Sequence, residues 1–323
     1  MSIVQAYWPG IVSGARDIVF VCSFVHLGAC STWHGPALSL DAPTQAMLRL
    51  ERMNRIDAMF QAKRQTGSKA LVLYLTAGFP DLETTERLVP ALEESGCDLL
   101  ELGIPFSDPL ADGPTIQQAS FEALEAGASL GKILDMVERL RSRVKMPMIL
   151  FSAYNPLLRF GLDRLVKRCV EIGIDGYLVA DLPLEESYAF RQRVREVDQH
   201  LIYLTAPTTP DDRKIKYARK ASGFLYHISV AGVTGARETV ADDLAAQIAP
   251  YREASDIPVA VGFGISRPEH VAQVAQVADA AVVGSQLINV IMKHRTEGAE
   301  GIERAVREFV HGLAEPLRMP TPR

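Results

Sequence analysis

After residue 70 the chain alternates short, unbroken apolar runs with longer stretches whose apolar residues return every three or four positions. The runs occupy 70–76, 99–103, 147–152, 176–180, 201–205, 223–228, 258–262 and 280–284. Runs that do not alternate in polarity suit parallel strands covered on both faces. The stretches between them, 82–94, 116–126 with 130–143, 162–172, 185–197, 210–221, 241–253, 268–277 and 285–293, have helical spacing. They are long enough for the crossover that a parallel pair requires. A last helical pattern covers 303–314. Eight such units in about 250 residues fit one closed (β/α)8 TIM barrel better than two doubly wound halves, and no Pro/Gly/Ser-rich linker divides them.

Ahead of the first run, NRIDAMFQAKRQ puts Ile56, Met59 and Phe60 on one helical face, which predicts a helix before the first strand. The barrel domain is therefore expected to span 53–323. Residues 1–52 read differently. No Asp, Glu, Lys or Arg occurs between Ile18 and Leu40, and IVFVCSFVHLGAC is strongly apolar. That segment is short against the roughly 20 residues of a membrane span. It has the length of a signal-peptide core, and LGAC at 27–30 resembles a lipoprotein cleavage box. An export signal begins with net positive charge, however, whereas residues 1–17 carry only Arg16, offset by Asp17. The segment is read as an extension outside the barrel, disordered or lying upstream of a start at Met53. The expected location is cytoplasmic, with no membrane contact.

Composition narrows the function classes. With 48% hydrophobic and 23% charged residues, disordered, collagen-like and coiled-coil chains are excluded. Lys plus Arg number 34 against 39 Asp plus Glu, and no basic run could track a phosphate backbone, so nucleic acid is not an expected partner. The four cysteines form no CxxC pair and the seven histidines have no ligand spacing, so no metal is expected and the thiols read as free, in a reducing compartment.

In such a barrel the chemistry lies at the C-terminal ends of the strands. The second run ends LLELGIPFSDPLADGPT, with Glu101 among Leu99, Leu100, Leu102 and Ile104 and with Asp108 and Asp112 in the loop beyond. Desolvation would raise such a carboxylate toward a useful acid/base range. A rim ion pair is the alternative. The last two runs, VAVGFGIS and AVVGSQLI, each give strand, glycine, then helix start. Freed backbone N–H groups there could cradle a phosphate, or Gly262, Gly264 and Gly284 could simply permit tight turns. The sixth loop, SVAGVTGARE, has Gly232 and Gly235 around Thr234 and suits a lid whose threonine donates to a carboxylate.

The stretch LELGIPFSDPLADGPTIQ closely resembles the signature of the tryptophan synthase α subunit family. So, in order and spacing, do LTAGFPD (75–81), YNPLLRFG (154–161), LVADLPLEES (178–187), AGVTGA (231–236), GFGIS (262–266) and GSQLI (284–288). The resemblance covers about 53–323. It implies a cytoplasmic lyase that splits indole-3-glycerol phosphate into indole and glyceraldehyde 3-phosphate in a retro-aldol reaction. Glu101 matches the family's general acid/base, and Asp112 matches the carboxylate that bonds the indole N–H. Gly235, Gly264, Gly284 and Ser285 match phosphate positions; Tyr74, Leu178, Ala180, Tyr226 and Phe263 match indole-pocket and substrate-adjacent positions. Thr234 matches the loop residue that bonds the catalytic aspartate. No cofactor is implied in this chain. The implied partner is a β subunit carrying pyridoxal phosphate, in an αββα assembly, with the loop around 108–114 at the contact.

Two positions depart from the family pattern. Position 74 is Tyr where many members have Phe, which adds a hydroxyl to an apolar pocket and calls for a partner. Ala153 stands where several members carry a pocket Tyr, although Tyr154 is adjacent. A stand-alone indole-releasing lyase and a non-catalytic regulatory paralogue remain as alternatives. Retention of both carboxylates argues against the second.

Overall fold

The computed structural model describes residues 53–229, 239–262 and 264–318. Eight parallel strands close into a barrel in sequence order: β1 (Ala70–Thr76), β2 (Leu99–Gly103), β3 (Met148–Ser152), β4 (Gly176–Val179), β5 (His200–Thr205), β6 (Leu225–Ile228), β7 (Val259–Gly262) and β8 (Ala280–Val283), with β8 bonded back to β1. The outer layer holds α1 (Arg55–Thr66), α2 (Leu82–Ser95), α3 (Pro114–Glu125), α4 (Leu130–Leu140), α5 (Tyr154–Phe160), α6 (Leu162–Ile172), α7 (Tyr188–Arg195), α8 (Asp211–Lys220), α9 (Thr239–Ala254), α10 (Pro268–Ala275), α11 (Ser285–His294) and α12 (Gly298–Arg318). The TIM barrel read from the sequence is thus present, with every expected strand in place. The extension 1–52 lies outside the described residues.

Alternation sorts each strand's side chains into two cores. Leu71, Leu73, Leu100, Leu102, Met148 and Leu150 face the helices, whereas Val72, Leu99, Ile149, Leu178, Ile202 and Val282 fill the interior. This double burial explains why the strands read as continuous apolar runs. Helix α1 closes the N-terminal end of the interior: Ile56 and Phe60 are buried and Met59 packs beside them, as the sequence spacing required. Phe60 meets Phe224 with ring centroids 5.7 Å apart. Asn54 caps α1 by accepting from the Ile56 N–H at 2.9 Å, and its Nδ2 donates to the carbonyls of Asp175 and Asp198.

Below the barrel, buried Asp175 pairs with Arg55 Nε at 2.9 Å and accepts from the Met148 N–H at 2.9 Å, with Arg141 at 3.4 Å. This cluster fixes the junction of α1, β3 and β4 on the face that carries stability rather than chemistry.

Three boundaries differ from expectation for local reasons. β6 begins two residues late because Gly223 holds φ +74, outside the extended region. The segment before α7 turns first, with the Leu182 N–H on the Val179 carbonyl and the Glu186 N–H on the Pro183 carbonyl, so the helix starts at Tyr188 rather than 185. A short helix, α5, occupies Tyr154–Phe160, which the sequence pattern did not reveal, and Gly161 at φ +92 separates it from α6.

Candidate active site

Glu101 lies inside the barrel near the C-terminal end of β2, with no solvent exposure. Its Cα is registered against Tyr74 of β1 and Ile149 of β3. Among the described residues neither carboxylate oxygen has a hydrogen-bond partner. An ionised carboxylate without partners is costly in an apolar interior, so burial pushes the Glu101 pKa up from 4.5 to about 8. The sequence argument has the direction right and most of the neighbours wrong. Leu100, Leu102 and Ile104 pack in the outer core, and the groups around the carboxyl come from other strands.

Two of those groups are phenols. Tyr74 is buried and Tyr226 of β6 is partly buried, and the charge of Glu101 reaches both hydroxyls. Burial is the main cause that raises both phenols above their ordinary range. Each ring rests on a glycine of the following strand. A Cβ on Gly103 would lie 2.1 Å from the Tyr74 hydroxyl, and one on Gly262 would lie 2.2 Å from the Tyr226 hydroxyl. The relation is the same in both pairs: the tyrosine is registered against a residue two before the glycine, and an inward side chain leans toward the mouth across the next strand. Gly262 is therefore a seat for a phenol in the barrel wall, a role that neither the cradle nor the turn reading of this glycine included. Phe151 of β3 completes this wall, meeting Tyr74 edge-on at 5.3 Å and 84°. Sequence reasoning missed Phe151, although strand alternation from Ile149 places it inward. The hydroxyl at position 74 has the partner it called for: Thr76 Oγ1 donates to it at 3.4 Å.

Asp112 stands in the loop between β2 and α3, half-buried, and burial raises its pKa. Its N–H donates to the Pro109 carbonyl at 3.1 Å, and its own carbonyl accepts from Gln117 Nε2 at 2.8 Å, so α3 holds the loop from behind. The same loop presents Leu110 at 85% exposure. Leu178 is buried in the interior and Ala180 follows β4, its N–H on the Ser152 carbonyl at 3.0 Å. Ala153 precedes α5, and Tyr154 turns outward to pack on Phe190 at 6.2 Å, so it does not restore a pocket tyrosine.

At the rim, Gly264 is exposed with φ +33 and open space above its α-carbon. Gly284 is the cap residue of α11 and exposed Ser285 is its first residue, so the first-turn N–H groups and the positive end of the helix dipole face the mouth. Thr234, Gly235 and Phe263 lie outside the described residues. Among the described residues no cluster of His, Cys, Asp and Glu is arranged to hold a metal, and no helix is long and apolar enough to cross a membrane.

Behind the wall, buried His227 meets Tyr251 Oη at 3.1 Å and Gln247 Oε1 at 3.0 Å, and Tyr251 donates to Thr205 Oγ1 at 2.8 Å. Burial lowers the His227 pKa, so the ring stays neutral at pH 7 and ties β5 and β6 to α9. Nothing in the sequence pattern marked this network.

Comparison with known proteins gives the family to which this barrel belongs. The model of the family described as "Tryptophan synthase alpha chain" matches residues 60–316. The tryptophan synthase alpha chain of Geobacter sulfurreducens is 47% identical over 265 residues, covering 82% of this chain and 99% of the relative. That of Chloroflexus aggregans is 49% identical over 260 residues, covering 80% and 97%. Among solved structures, tryptophan synthase subunit alpha from Legionella pneumophila superposes with a TM-score of 0.76 at 36% identity, covering 82% of this chain and 98% of that one. The chain belongs to the tryptophan synthase alpha chain family.

Proposed function

We propose that this chain cleaves indole-3-glycerol phosphate to indole and glyceraldehyde 3-phosphate, and that it hands indole to a β subunit carrying pyridoxal phosphate. The observation that carries the reading is Glu101: a fully buried carboxyl near the C-terminal end of its strand, without a hydrogen-bond partner among the described residues and with its pKa raised to about 8. A group that titrates near neutrality can both give and take a proton.

The reaction needs one net proton movement. Glu101 gives a proton to C3 of the indole ring, which places positive charge on the ring nitrogen. Asp112 accepts the N–H and stabilises that charge. The glycerol hydroxyl next to the ring returns a proton to Glu101 as its oxygen becomes the aldehyde, and the carbon–carbon bond breaks with its electron pair entering the ring. Indole leaves aromatic, and Glu101 ends as it began. Each step uses a side chain of this chain, so no cofactor is assigned to it.

Tyr74, Phe151, Tyr226 and Leu178 supply the flat apolar wall for the indole. Gly264, Gly284, Ser285 and the start of α11 are assigned to the phosphate together with Gly235, Phe263 is assigned to the indole pocket with Ala180, and Thr234 is assigned the hydrogen bond to Asp112 that the family resemblance implies. Leu110, an apolar side chain in the loop that carries Asp112, suits contact with the β subunit in an αββα assembly. Buried free Cys97 and Cys169 suit the cytoplasm.

The test is indole release from indole-3-glycerol phosphate by the full chain, with and without an added β subunit. Slow release alone and a large gain with the partner is the expected result. Fast release alone would favour a stand-alone lyase. No release in either case would refute the reading.

A further inference from the structure

Two hydrogen-bonding capacities in the barrel interior are left unspent. Among the described residues both oxygens of the Glu101 carboxyl lack a donor. The Tyr74 hydroxyl accepts from Thr76 Oγ1, and its own proton has no acceptor among the described residues. The two residues are directly registered across β1 and β2 with side chains on the same inward face. The Tyr74 ring leans along that face over Gly103, two residues beyond Glu101, and the edge-on contact with Phe151 holds its plane. A buried donor and a buried acceptor at registered positions on one inward face favour each other once either is charged.

We propose that the Tyr74 hydroxyl donates a hydrogen bond to the ionised Glu101 carboxylate, making Tyr74 a positioning residue that stabilises the base form and aims it at the substrate. No proton is transferred between them, because burial keeps the phenol protonated throughout. The hydrogen bond from Thr76 polarises the Tyr74 O–H and strengthens it as a donor. Among the described residues, Tyr226 of β6 is the other titratable group whose hydroxyl the charge of Glu101 reaches, and Asp112 in the following loop acts on Tyr74; β3, β4, β5, β7 and β8 present apolar side chains or glycine to the interior. Tyr74 is distinguished from Tyr226 by its direct register with Glu101 and by the donor behind its oxygen. The inference rests on the role of Glu101 proposed above.

The test separates the contact from the reaction. The full chain, labelled with carboxyl-13C glutamate, is titrated by NMR without substrate, the Glu101 signal being assigned by its loss in Glu101→Gln. Tyr74→Phe is expected to raise the Glu101 midpoint by about one pH unit, Thr76→Val to raise it less, and Tyr226→Phe to leave it in place. In turnover, the limb of the pH–rate profile set by Glu101 moves up with the midpoint, and kcat falls while KM for indole-3-glycerol phosphate stays near its starting value. An unchanged midpoint in Tyr74→Phe, or a shift only in Tyr226→Phe, overturns the proposal. A shifted midpoint in a chain that releases no indole would leave the contact standing and refute the reaction.

Discussion

Glu101→Gln is expected to make the protein more stable while removing its activity. The folded protein holds the Glu101 proton up to about 8, whereas an unfolded carboxyl releases it near 4.5. Between those values the folded state binds more protons than the unfolded one, so stability falls as pH rises, and it levels off above about 8. At about 1.4 kcal/mol per pH unit the cost is about 1 kcal/mol at pH 5, about 3 at pH 7 and nearly 5 at pH 9. Glutamine keeps the shape and does not titrate. The stability difference between variant and wild type should therefore widen by about 2 kcal/mol from pH 5 to pH 7 and about 4 kcal/mol from pH 5 to pH 9. Any constant cost of burying the amide cancels from that change. Equilibrium urea unfolding at the three pH values, followed by circular dichroism, reads it directly, and the same samples should release indole at least about a hundredfold more slowly. A stability difference that does not depend on pH would refute the argument that Glu101 is buried without a charge partner.

Gly262→Ala places a Cβ 2.2 Å from the Tyr226 hydroxyl, so the phenol must move; a loss of about 1–3 kcal/mol and a lower kcat/KM are expected, and unchanged thermal unfolding would remove Gly262 from the pocket wall. Asp175→Ala leaves Arg55, Arg141 and the Met148 N–H without their shared acceptor, which should cost about 3–5 kcal/mol in urea unfolding. Because that cluster lies on the face opposite the site, KM at a temperature where the variant is folded should stay at the wild-type value.

The fold was legible because a closed parallel barrel buries every strand twice. Leu71–Leu75, Leu99–Leu102 and Val259–Val261 need no polar face, and their apolar runs give strand position to within about two residues. Helix α5 escaped because seven residues containing Pro156 are too short to show a period. In the site, Glu101 was legible because a lone carboxylate in an apolar run is costly wherever the run is buried. Its surroundings were not, because they depend on which strands lie across the barrel: Tyr226 is 125 residues from Glu101 in sequence and reaches it only through closure of the sheet. The seat that Gly262 gives Tyr226 was hidden for the same reason. A glycine at a strand end reads as turn or phosphate loop until the register shows a ring above it.

The two phenols on their glycine seats divide the site into halves of different origin. Tyr74, Tyr226 and Phe151 stand on strands whose positions are fixed by the whole barrel, so the aromatic wall they form is set by the sheet itself. Asp112 stands on a loop held by α3. A flat aromatic fragment therefore meets a finished surface, with little ordering entropy to lose and a binding heat-capacity change set by the apolar area it covers. Whatever engages the acidic loop acts first on Asp112 and leaves the strand-borne Glu101 and its aromatic neighbours where the barrel holds them.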